Sequence, residues 1–211
     1  MGRNKRYEGE DITVTFDLQR CVHARNCWLT LPEVFDPSRR PWVLPDNGTA
    51  DEIAAMVRTC PSGALQYERN DGVKDEAPSG TNTAQITENG PIRLKGDIRF
   101  GDERMPRATL CRCGLSKNKP FCDNSHLKGH FRATGEADVS DKDTAEGLDG
   151  PIELIENANG SVSIKGNLEI INGNGRRIGR TKAVRLCRCG ASSKKPFCDG
   201  SHKAAGFTTE E

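Results

Sequence analysis

Residues 111–126 read CRCGLSKNKPFCDNSH, and residues 187–202 read CRCGASSKKPFCDGSH. The two stretches agree at 12 of 16 positions, and every Cys and His falls in register. The similarity extends upstream, where NGPIRLKGDIRF (89–100) aligns with NGSVSIKGNLEI (159–170). Alternating apolar and polar residues in these segments predict a β-strand in each copy. The chain therefore contains one small module twice. We place the two copies at residues 86–135 and 150–211.

The Cys and His spacings indicate a metal site in each copy. Extended backbone turns residues i and i+2 to the same side, so both Cys of a C-x-C pair can face one metal atom. The Cys and His of C-x₃-H lie on one face of a helical turn. Three Cys and one His suit a structural zinc or a [2Fe–2S] cluster with two protein ligands on each iron. Buried structural thiols are a third interpretation, which the register of the repeat disfavours. The candidate ligands are Cys111, Cys113, Cys122 and His126, and Cys187, Cys189, Cys198 and His202.

The full pattern C-x-C-x₂-S-x₃-P-x-C-D-G-S-H resembles the signature of the CDGSH iron–sulfur family, the mitoNEET-like proteins. The second copy matches at every position, and the first departs only at Asn124, where the family has Gly. Asn tolerates left-handed backbone best after Gly, so the turn can survive. The resemblance implies a [2Fe–2S] cluster in each copy, with C-x-C on the inner iron and C-x₃-H on the outer, solvent-near iron. Family members often dimerise through two such modules, so it also implies a fused pseudo-dimer with an internal twofold axis.

Histidine ligation has a predictable electronic effect. A neutral imidazole in place of a thiolate leaves the oxidised cluster less negative, which makes an added electron easier to accept. Ligation also needs an unprotonated ring nitrogen, so acid competes with iron. We therefore predict a pH-dependent reduction potential and faster cluster loss in acid. The basic residues around the sites are either solvated loop charges or a rim that attracts an acidic redox partner. They are Lys117, Lys119, Lys194 and Lys195, with Arg112 and Arg188 inside the sites.

Residues 1–75 have a different pattern. The segments CVHARNCWLTLPEVFD (21–36) and CPSGAL (60–65) resemble single-cluster ferredoxins, and more closely a divergent mono-cluster family found fused or adjacent to CDGSH modules. Ala24 stands where those ferredoxins have their middle Cys ligand. The resemblance implies a [3Fe–4S] or [4Fe–4S] cluster, and a shell that has lost its cluster is the alternative. The candidate ligands are Cys21, Cys27 and Cys60, with His23 as a possible fourth ligand.

The sequence of residues 1–75 predicts both β-strands and a helix. DITVTF and GALQY are typical of strands, and TADEIAAMVRTC is typical of a helix that begins at the N-cap Thr49. Polar residues 76–85 and acidic residues 136–149 read as linkers. The predicted fold class is α+β, with a small ferredoxin-like N-terminal domain followed by two β-rich CDGSH modules packed as an intramolecular pseudo-dimer.

The composition of the chain argues against nucleic-acid binding and against membrane insertion. The 211 residues carry a net charge of +1, which argues against nucleic acid as the main partner. No apolar run approaches the ~20 residues that cross a membrane, and the N-terminal segment has no apolar region typical of a secretory signal. We therefore expect a cytoplasmic protein with no membrane partner. Nine cysteines in such a compartment point to metal binding more than to disulfides.

No catalytic signature stands out. The sequence has no P-loop, no G-x-G-x-x-G fingerprint and no G-x-S-x-G elbow, so we assign no catalytic residues. The first hypothesis is a one-electron carrier or accessory redox protein that acts on a redox partner protein. The alternative is an iron–sulfur storage or transfer protein that supplies an apo-acceptor protein, or a redox or pH sensor. In either case we expect a monomer with an internal pseudo-twofold axis.

Overall fold

A computed structural model describes residues 4–138 and 143–209. Residues 139–142, in the predicted acidic linker, lie outside the described residues, as do the two ends of the chain. The chain divides into two compact units, Met1–Ala77 and Pro78–Glu211. Both predicted Cys/His modules therefore lie in the same unit. In the part of the chain that the structure describes, no helix is long and apolar enough to cross a membrane.

The N-terminal unit is a three-stranded antiparallel sheet covered by a helix. The strands are β1 (Lys5–Tyr7), β2 (Ile12–Phe16) and β3 (Leu65–Arg69), in the order β1-β2-β3. The helices are α1 (Asn26–Thr30) and α2 (Ala50–Arg58), and short 3₁₀ turns span Leu18–Arg20 and Pro45–Asn47.

Helix α2 begins as its sequence predicts. The Thr49 hydroxyl accepts the N–H of Glu52, and the Glu52 carboxylate accepts the N–H of Thr49, which completes a capping box. Ile53, Met56 and Val57 lie on one face of α2 and are buried in the core of this unit. The predicted strands and helix of residues 1–75 are confirmed.

The regular secondary structure of the second unit is mostly β-strand. Its described residues form the strands β4 (Thr83–Ile86), β5 (Ile92–Phe100), β6 (Glu103–Leu110), β7 (Pro151–Glu156), β8 (Val162–Ile171) and β9 (Arg177–Leu186), and the short helix α3 (Ser125–Lys128). The strands predicted from the repeated alternation are confirmed as β5 and β8. The described residues are more β-rich than the predicted α+β class, because each module buries its apolar strand face against the other module and needs no helix to cover it.

The strands of the two modules exchange partners in a symmetric way. Strand β4 pairs antiparallel with β5 of its own module and parallel with β8 of the other module. Strand β7 pairs antiparallel with β8 and parallel with β5. Strands β6 and β9 complete the hairpins with β5 and β8. The first strand of each module therefore pairs with one strand of its own module and one strand of the other, within a single sheet.

One apolar core joins the two modules. Ile92 and Leu94 of β5 are in the same buried cluster as Ile152 of β7 and Ile164 of β8, and each of these side chains is at most 1% exposed. Such complete burial removes each side chain from water and contributes about 1.5–3 kcal/mol per residue. The stability of either module therefore depends on the other.

Glycine allows the strands to cross. The register of β5 with β6 shifts after Lys95, at Gly96, whose φ is 151°. A Cβ atom on Gly96 would lie 2.0 Å from Oδ1 of Asn82. Gly166 stands at the same place in β8, with φ 116° and 2.6 Å between a Cβ and the carbonyl oxygen of Pro151. The KG pair that the two copies share therefore marks the position where the start of the same module's first strand, β4 or β7, comes close.

Asn82 fixes one of these crossings through its side chain, which is fully buried. Its amide donates to the carbonyl oxygens of Gly150 and Asn167, both at 2.9 Å, and its Oδ1 accepts the N–H of Asp97 at 3.1 Å. The side chain therefore ties the start of β4 to the other module.

We expect Asn82→Ala to lower the free energy of unfolding by about 2–5 kcal/mol, because it leaves buried backbone groups without partners. Chemical denaturation followed by circular dichroism measures this loss, with the exposed neighbour Thr81→Ala as control. A loss no larger than that of the control would show that Asn82 does not hold the crossing.

Candidate metal centres

A short return strand brings the two halves of the first donor set together. Leu110 and Phe121 form a β-bridge. The N–H of Cys111 donates to the carbonyl of Pro120, and the N–H of Cys122 donates to the carbonyl of Thr109, both at 2.8 Å. These bonds hold Cys122 beside Cys111 although eleven positions separate them in the chain.

The second module repeats this frame. Leu186 bridges Phe197, the N–H of Cys187 donates to Pro196 at 2.7 Å, and the N–H of Cys198 donates to Arg185 at 2.9 Å. The repeated sequence therefore has the same local backbone in both copies, which is why its cysteines are in register in space as well as in the chain.

The C-x-C pairs have the spacing of two ligands on one metal atom. The Sγ atoms of Cys111 and Cys113 lie 3.7 Å apart, and those of Cys187 and Cys189 lie 3.8 Å apart. With metal–sulfur distances of about 2.3 Å, two ligands of one tetrahedral metal lie about 3.8 Å apart. The predicted placement of both sulfurs on one side of the extended segment agrees with this spacing.

The C-x₃-H pairs have a matching spacing. Sγ of Cys122 lies 3.5 Å from Nδ1 of His126, and Sγ of Cys198 lies 3.5 Å from Nδ1 of His202. One sulfur and one imidazole nitrogen on a tetrahedral metal lie about 3.5 Å apart. Nδ1 is therefore the ring nitrogen that faces the site in both modules.

The donor pairs do not close around a single ion. Among residues 4–138 and 143–209, no group of three or more His, Cys, Asp and Glu side chains is placed to hold one metal ion. A structural zinc needs four donors in one closed shell. Two separate pairs, each on the edge of its own tetrahedron, instead fit a two-metal group whose bridging atoms fill the remaining positions.

Backbone N–H groups point at the sulfurs. The N–H of Leu115 donates to Sγ of Cys113, that of Asn124 to Sγ of Cys122, and that of Ala191 to Sγ of Cys189, each at 3.4 Å. Such bonds stabilise a thiolate more than a thiol. These turns are therefore built for sulfur that carries negative charge.

The thiols need a cation to become thiolates together. A hydrogen bond from Cys113 lowers the pKa of Cys111 to about 6, and the same contact raises the pKa of Cys113. Burial raises the pKa of Cys122 to about 12. Burial lowers the pKa of His126, which favours the neutral ring that binds metal. A bound metal supplies the positive charge that lets these thiols lose their protons together.

The three N-terminal cysteines line one pocket of about 870 Å³. Cys21 follows the first 3₁₀ turn, Cys27 lies in α1, and Cys60 follows α2, so three different elements bring them together. Burial raises the pKa of Cys21 and of Cys27, and the nearby Cys60 adds to both shifts. His23 lines the same pocket, with Nδ1 3.8 Å from Sγ of Cys21.

Family models match all three regions. Residues 7–70 match the model of a divergent 4Fe-4S mono-cluster domain, and residues 89–127 and 159–203 match that of the iron-binding zinc finger of CDGSH type. The chain contains two CDGSH-type iron-binding domains. Its first domain is of the divergent mono-cluster type, so the resemblance drawn from the sequence is confirmed for both parts. The chain is an iron–sulfur protein.

Curated relatives cover a smaller part of the chain. Uncharacterized protein YjdI from Escherichia coli strain K12 is 39% identical over 61 residues, which is 29% of this chain and 80% of YjdI. The protein of the same name from Escherichia coli O157:H7 has the same identity and coverage. No solved structure matches the chain.

The one departure from the CDGSH signature is accommodated as predicted. Asn124 has φ 69° and ψ 9°, in the left-handed region, and Gly200 at the same place in the second CDGSH module has φ 90°. Asn adopts this conformation at lower cost than other non-glycine residues. The first module therefore keeps the turn of its signature without glycine.

The aspartate of each CDGSH motif ties the ligand turn to the preceding loop. Asp123 accepts the N–H groups of Lys117 and Ser125, both at 2.9 Å. Asp199 accepts those of Ser193 at 2.8 Å and Ser201 at 3.0 Å. Hydrogen bonds from Ser201 and Ser193 hold the pKa of Asp199 well below its usual range. Both aspartates are therefore ionised acceptors at neutral pH.

The arginine inside each C-R-C triplet is buried. Arg112 and Arg188 are each 1% exposed, so both predicted accounts, solvated loop charge and a basic rim, are wrong for these two residues. Arg112 lies 5.4 Å from the centre of the Phe131 ring, and Arg188 lies 5.6 Å from that of Phe207. The sequence shows that a Phe recurs after each Cys/His motif. Only the structure shows that this Phe lies against the buried arginine of its module.

The two arginines differ in their partners. Arg112 donates to the carbonyl oxygens of four residues, and Arg188 donates to two carbonyls and to the Glu156 carboxylate. Burial lowers the pKa of Arg112, and the nearby Glu88, Cys187 and Cys113 oppose this. Sequence reasoning did not find the role of Glu156, because its counterpart in the first copy is Ile86.

Proposed function

We propose that the protein is a one-electron transfer protein with two 3Cys–1His [2Fe–2S] clusters and one N-terminal [3Fe–4S] or [4Fe–4S] cluster. The observation that carries the proposal is the paired donor spacing, which suits two tetrahedral metals per module. The ligands are Cys111, Cys113, Cys122 and His126 in the first module and Cys187, Cys189, Cys198 and His202 in the second. A cluster of this kind, when bound, accepts and releases one electron.

The N-terminal cluster is held by Cys21, Cys27 and Cys60. Three thiols from separate elements that face one pocket support this assignment. Three thiolates are enough for three irons, and His23 is in reach to add a ligand for a fourth. The aromatic side chains of Trp28 and Trp42 line the same pocket and supply apolar surface beside these thiols.

The two CDGSH modules, at residues 86–135 and 150–211, form an intramolecular pseudo-dimer. The reciprocal strand pairing supports this proposal, and so does a reciprocal contact at the sites. A Cβ atom on Gly114 would lie 2.5 Å from the carbonyl oxygen of Cys189, and one on Gly190 would lie 2.4 Å from that of Cys113. The two C-x-C-G turns therefore touch, and an electron can pass between the sites over a short path.

Histidine ligation makes a separate prediction. We expect replacement of both His126 and His202 by Cys to lower the reduction potentials of both module clusters and to weaken their dependence on pH, because each substitution adds a negative charge and removes a titrating ring. Protein-film voltammetry between about pH 6 and pH 8 measures both properties. Potentials equal to those of the wild type would remove His126 and His202 from the ligand set.

Cluster transfer is the second candidate function. The outer pair of the second module, Cys198 and His202, is half-buried, whereas Cys122 and His126 are buried. A more accessible outer pair favours release to an apo-acceptor protein, and acid promotes release because a protonated imidazole cannot bind iron. The N-terminal ferredoxin-like domain favours electron transfer, since a cluster donor does not need it.

An EPR-monitored redox titration of protein purified without air tests the proposal. We expect about seven or eight irons per chain and reversible cycling of all centres. An EPR signal in the oxidised state identifies [3Fe–4S] at the N-terminal site. Clusters that bleach on cycling and appear in an added apo-ferredoxin favour cluster transfer. Iron content far below this value would refute the cluster assignment.

A further inference from the structure

Each module has a buried arginine beside its site, and the two modules differ in whether that arginine forms an ion pair. In the first module, the hydrogen bonds that Arg112 donates to described residues all go to backbone carbonyl oxygens, those of Gly90, Thr134, Thr87 and Ala133. In the second module, Arg188 forms an ion pair with the carboxylate of Glu156. The arginines stand at the same place in the repeat, so the carboxylate is the difference between them.

The sequence explains why only one arginine is paired. Glu156 ends strand β7 and corresponds to Ile86 at the end of β4, seventy positions earlier. Ile86 is 1% exposed and packs in the apolar core, so it offers no charge. The carboxylate of Glu88 accepts the N–H of Gly135 instead. Among the described residues, none forms an ion pair with Arg112.

A guanidinium stays protonated at any ordinary pH, so both arginines carry a fixed positive charge. Charges interact more strongly in the protein interior than in water, because the dielectric constant is lower there. At the first site, Glu88 lies near Arg112 but forms no ion pair with it, so the positive charge between the C-x-C ligands is only partly offset. At the second site, Glu156 cancels the corresponding charge.

We infer that the first module is reduced at a higher potential than the second, and that the Glu156–Arg188 ion pair sets the difference. The inference rests on the proposed function, because it assigns a potential to each of the two proposed [2Fe–2S] clusters. An added electron is stabilised by nearby positive charge and destabilised by nearby negative charge. In the one-electron reduced pair, the electron resides on the first module, and the touching C-x-C-G turns let it arrive from the second. Glu156 acts as a positioning residue that makes transfer between the modules directional.

The test is a spectroelectrochemical titration of the full chain and of Glu156→Gln. The amide keeps an oxygen that accepts from Arg188 but removes the charge. We expect two separate potentials in the wild type, and in Glu156→Gln an upward shift of the lower one that closes at least half of the gap. The single variants His126→Cys and His202→Cys each lower one potential and so assign the two signals to their modules.

Two further variants separate charge from structure. Glu153→Gln removes the same charge from the same strand at an exposed position, and we expect a much smaller shift. Glu156→Asp keeps the charge, and we expect it to keep the gap of the wild type. Thermal unfolding of all variants checks that the fold is retained.

The outcomes are distinct. Equal potentials in the wild type, a higher potential in the second module, or a shift in Glu156→Gln no larger than that in Glu153→Gln overturns the inference and leaves the proposed clusters in place. Chemical analysis that finds no iron and sulfide in the modules overturns the proposed function itself, and the inference with it.

Discussion

Replacing Arg112 with Ala strongly destabilises the second unit. The four carbonyl oxygens that the Arg112 guanidinium satisfies are brought together from the loop before β5 and the segment after α3. The carbonyls of Thr87 and Ala133 keep a backbone N–H donor, so removal of Arg112 leaves those of Gly90 and Thr134 without a partner. Each such acceptor costs about 1–3 kcal/mol, so the expected loss is about 2–6 kcal/mol. This is a substantial part of the total stability of a typical domain, about 5–15 kcal/mol.

Chemical denaturation followed by circular dichroism measures this effect. Arg93→Ala is the matched control, because Arg93 lies in the same module and is exposed. Arg112→Lys separates charge from geometry: it keeps the charge but cannot reach four acceptors, so we expect a smaller loss of stability than in Arg112→Ala. An Arg112→Ala protein as stable as the control would mean that water satisfies these carbonyls and that the arginine serves the site alone.

Replacing Cys113 with Ala removes the cluster of the first module and leaves the second. The pair of donors 3.7 Å apart is reduced to one sulfur, so one metal of the two-metal group loses half of its protein ligands. We expect iron content to fall by about two atoms per chain and one [2Fe–2S] signal to disappear from the EPR spectrum of the reduced protein.

Cys189→Ala is the mirror experiment and should remove only the signal of the second module. Cys60→Ala should remove only the N-terminal centre. If Cys113→Ala keeps its full iron content, Cys113 is not a ligand. Loss of all three centres in a folded protein would contradict separate sites.

Local pattern was enough to predict which candidate donors lie together in pairs. The register of six Cys and two His in the repeat identified the candidate residues, and alternation of period two identified β5 and β8. The capping box at Thr49 and the left-handed turn at Asn124 were predictable because the residues that decide them are neighbours in the chain.

Features that depend on distant residues were not predictable in this way. Nothing near β4 in the sequence indicates that it also pairs with β8, because strand partners are set by the core that both modules build. The targets of Arg112 come from two loops, and the ion pair of Arg188 depends on a Glu that the first copy lacks. The β-rich fold has the same origin, since the apolar face that a helix would cover is covered by the other repeat.

The exchange of β4 and β7 has a consequence for how this chain can evolve. A single module cut out by recombination would lose a strand pairing and expose half of an isoleucine-rich core, so it would be prone to aggregate. The two modules must therefore be inherited together. For the same reason, we expect them to unfold in one cooperative transition. Surface positions of the two modules remain free to diverge. The modules can therefore acquire different functions within one polypeptide, without duplication of the gene.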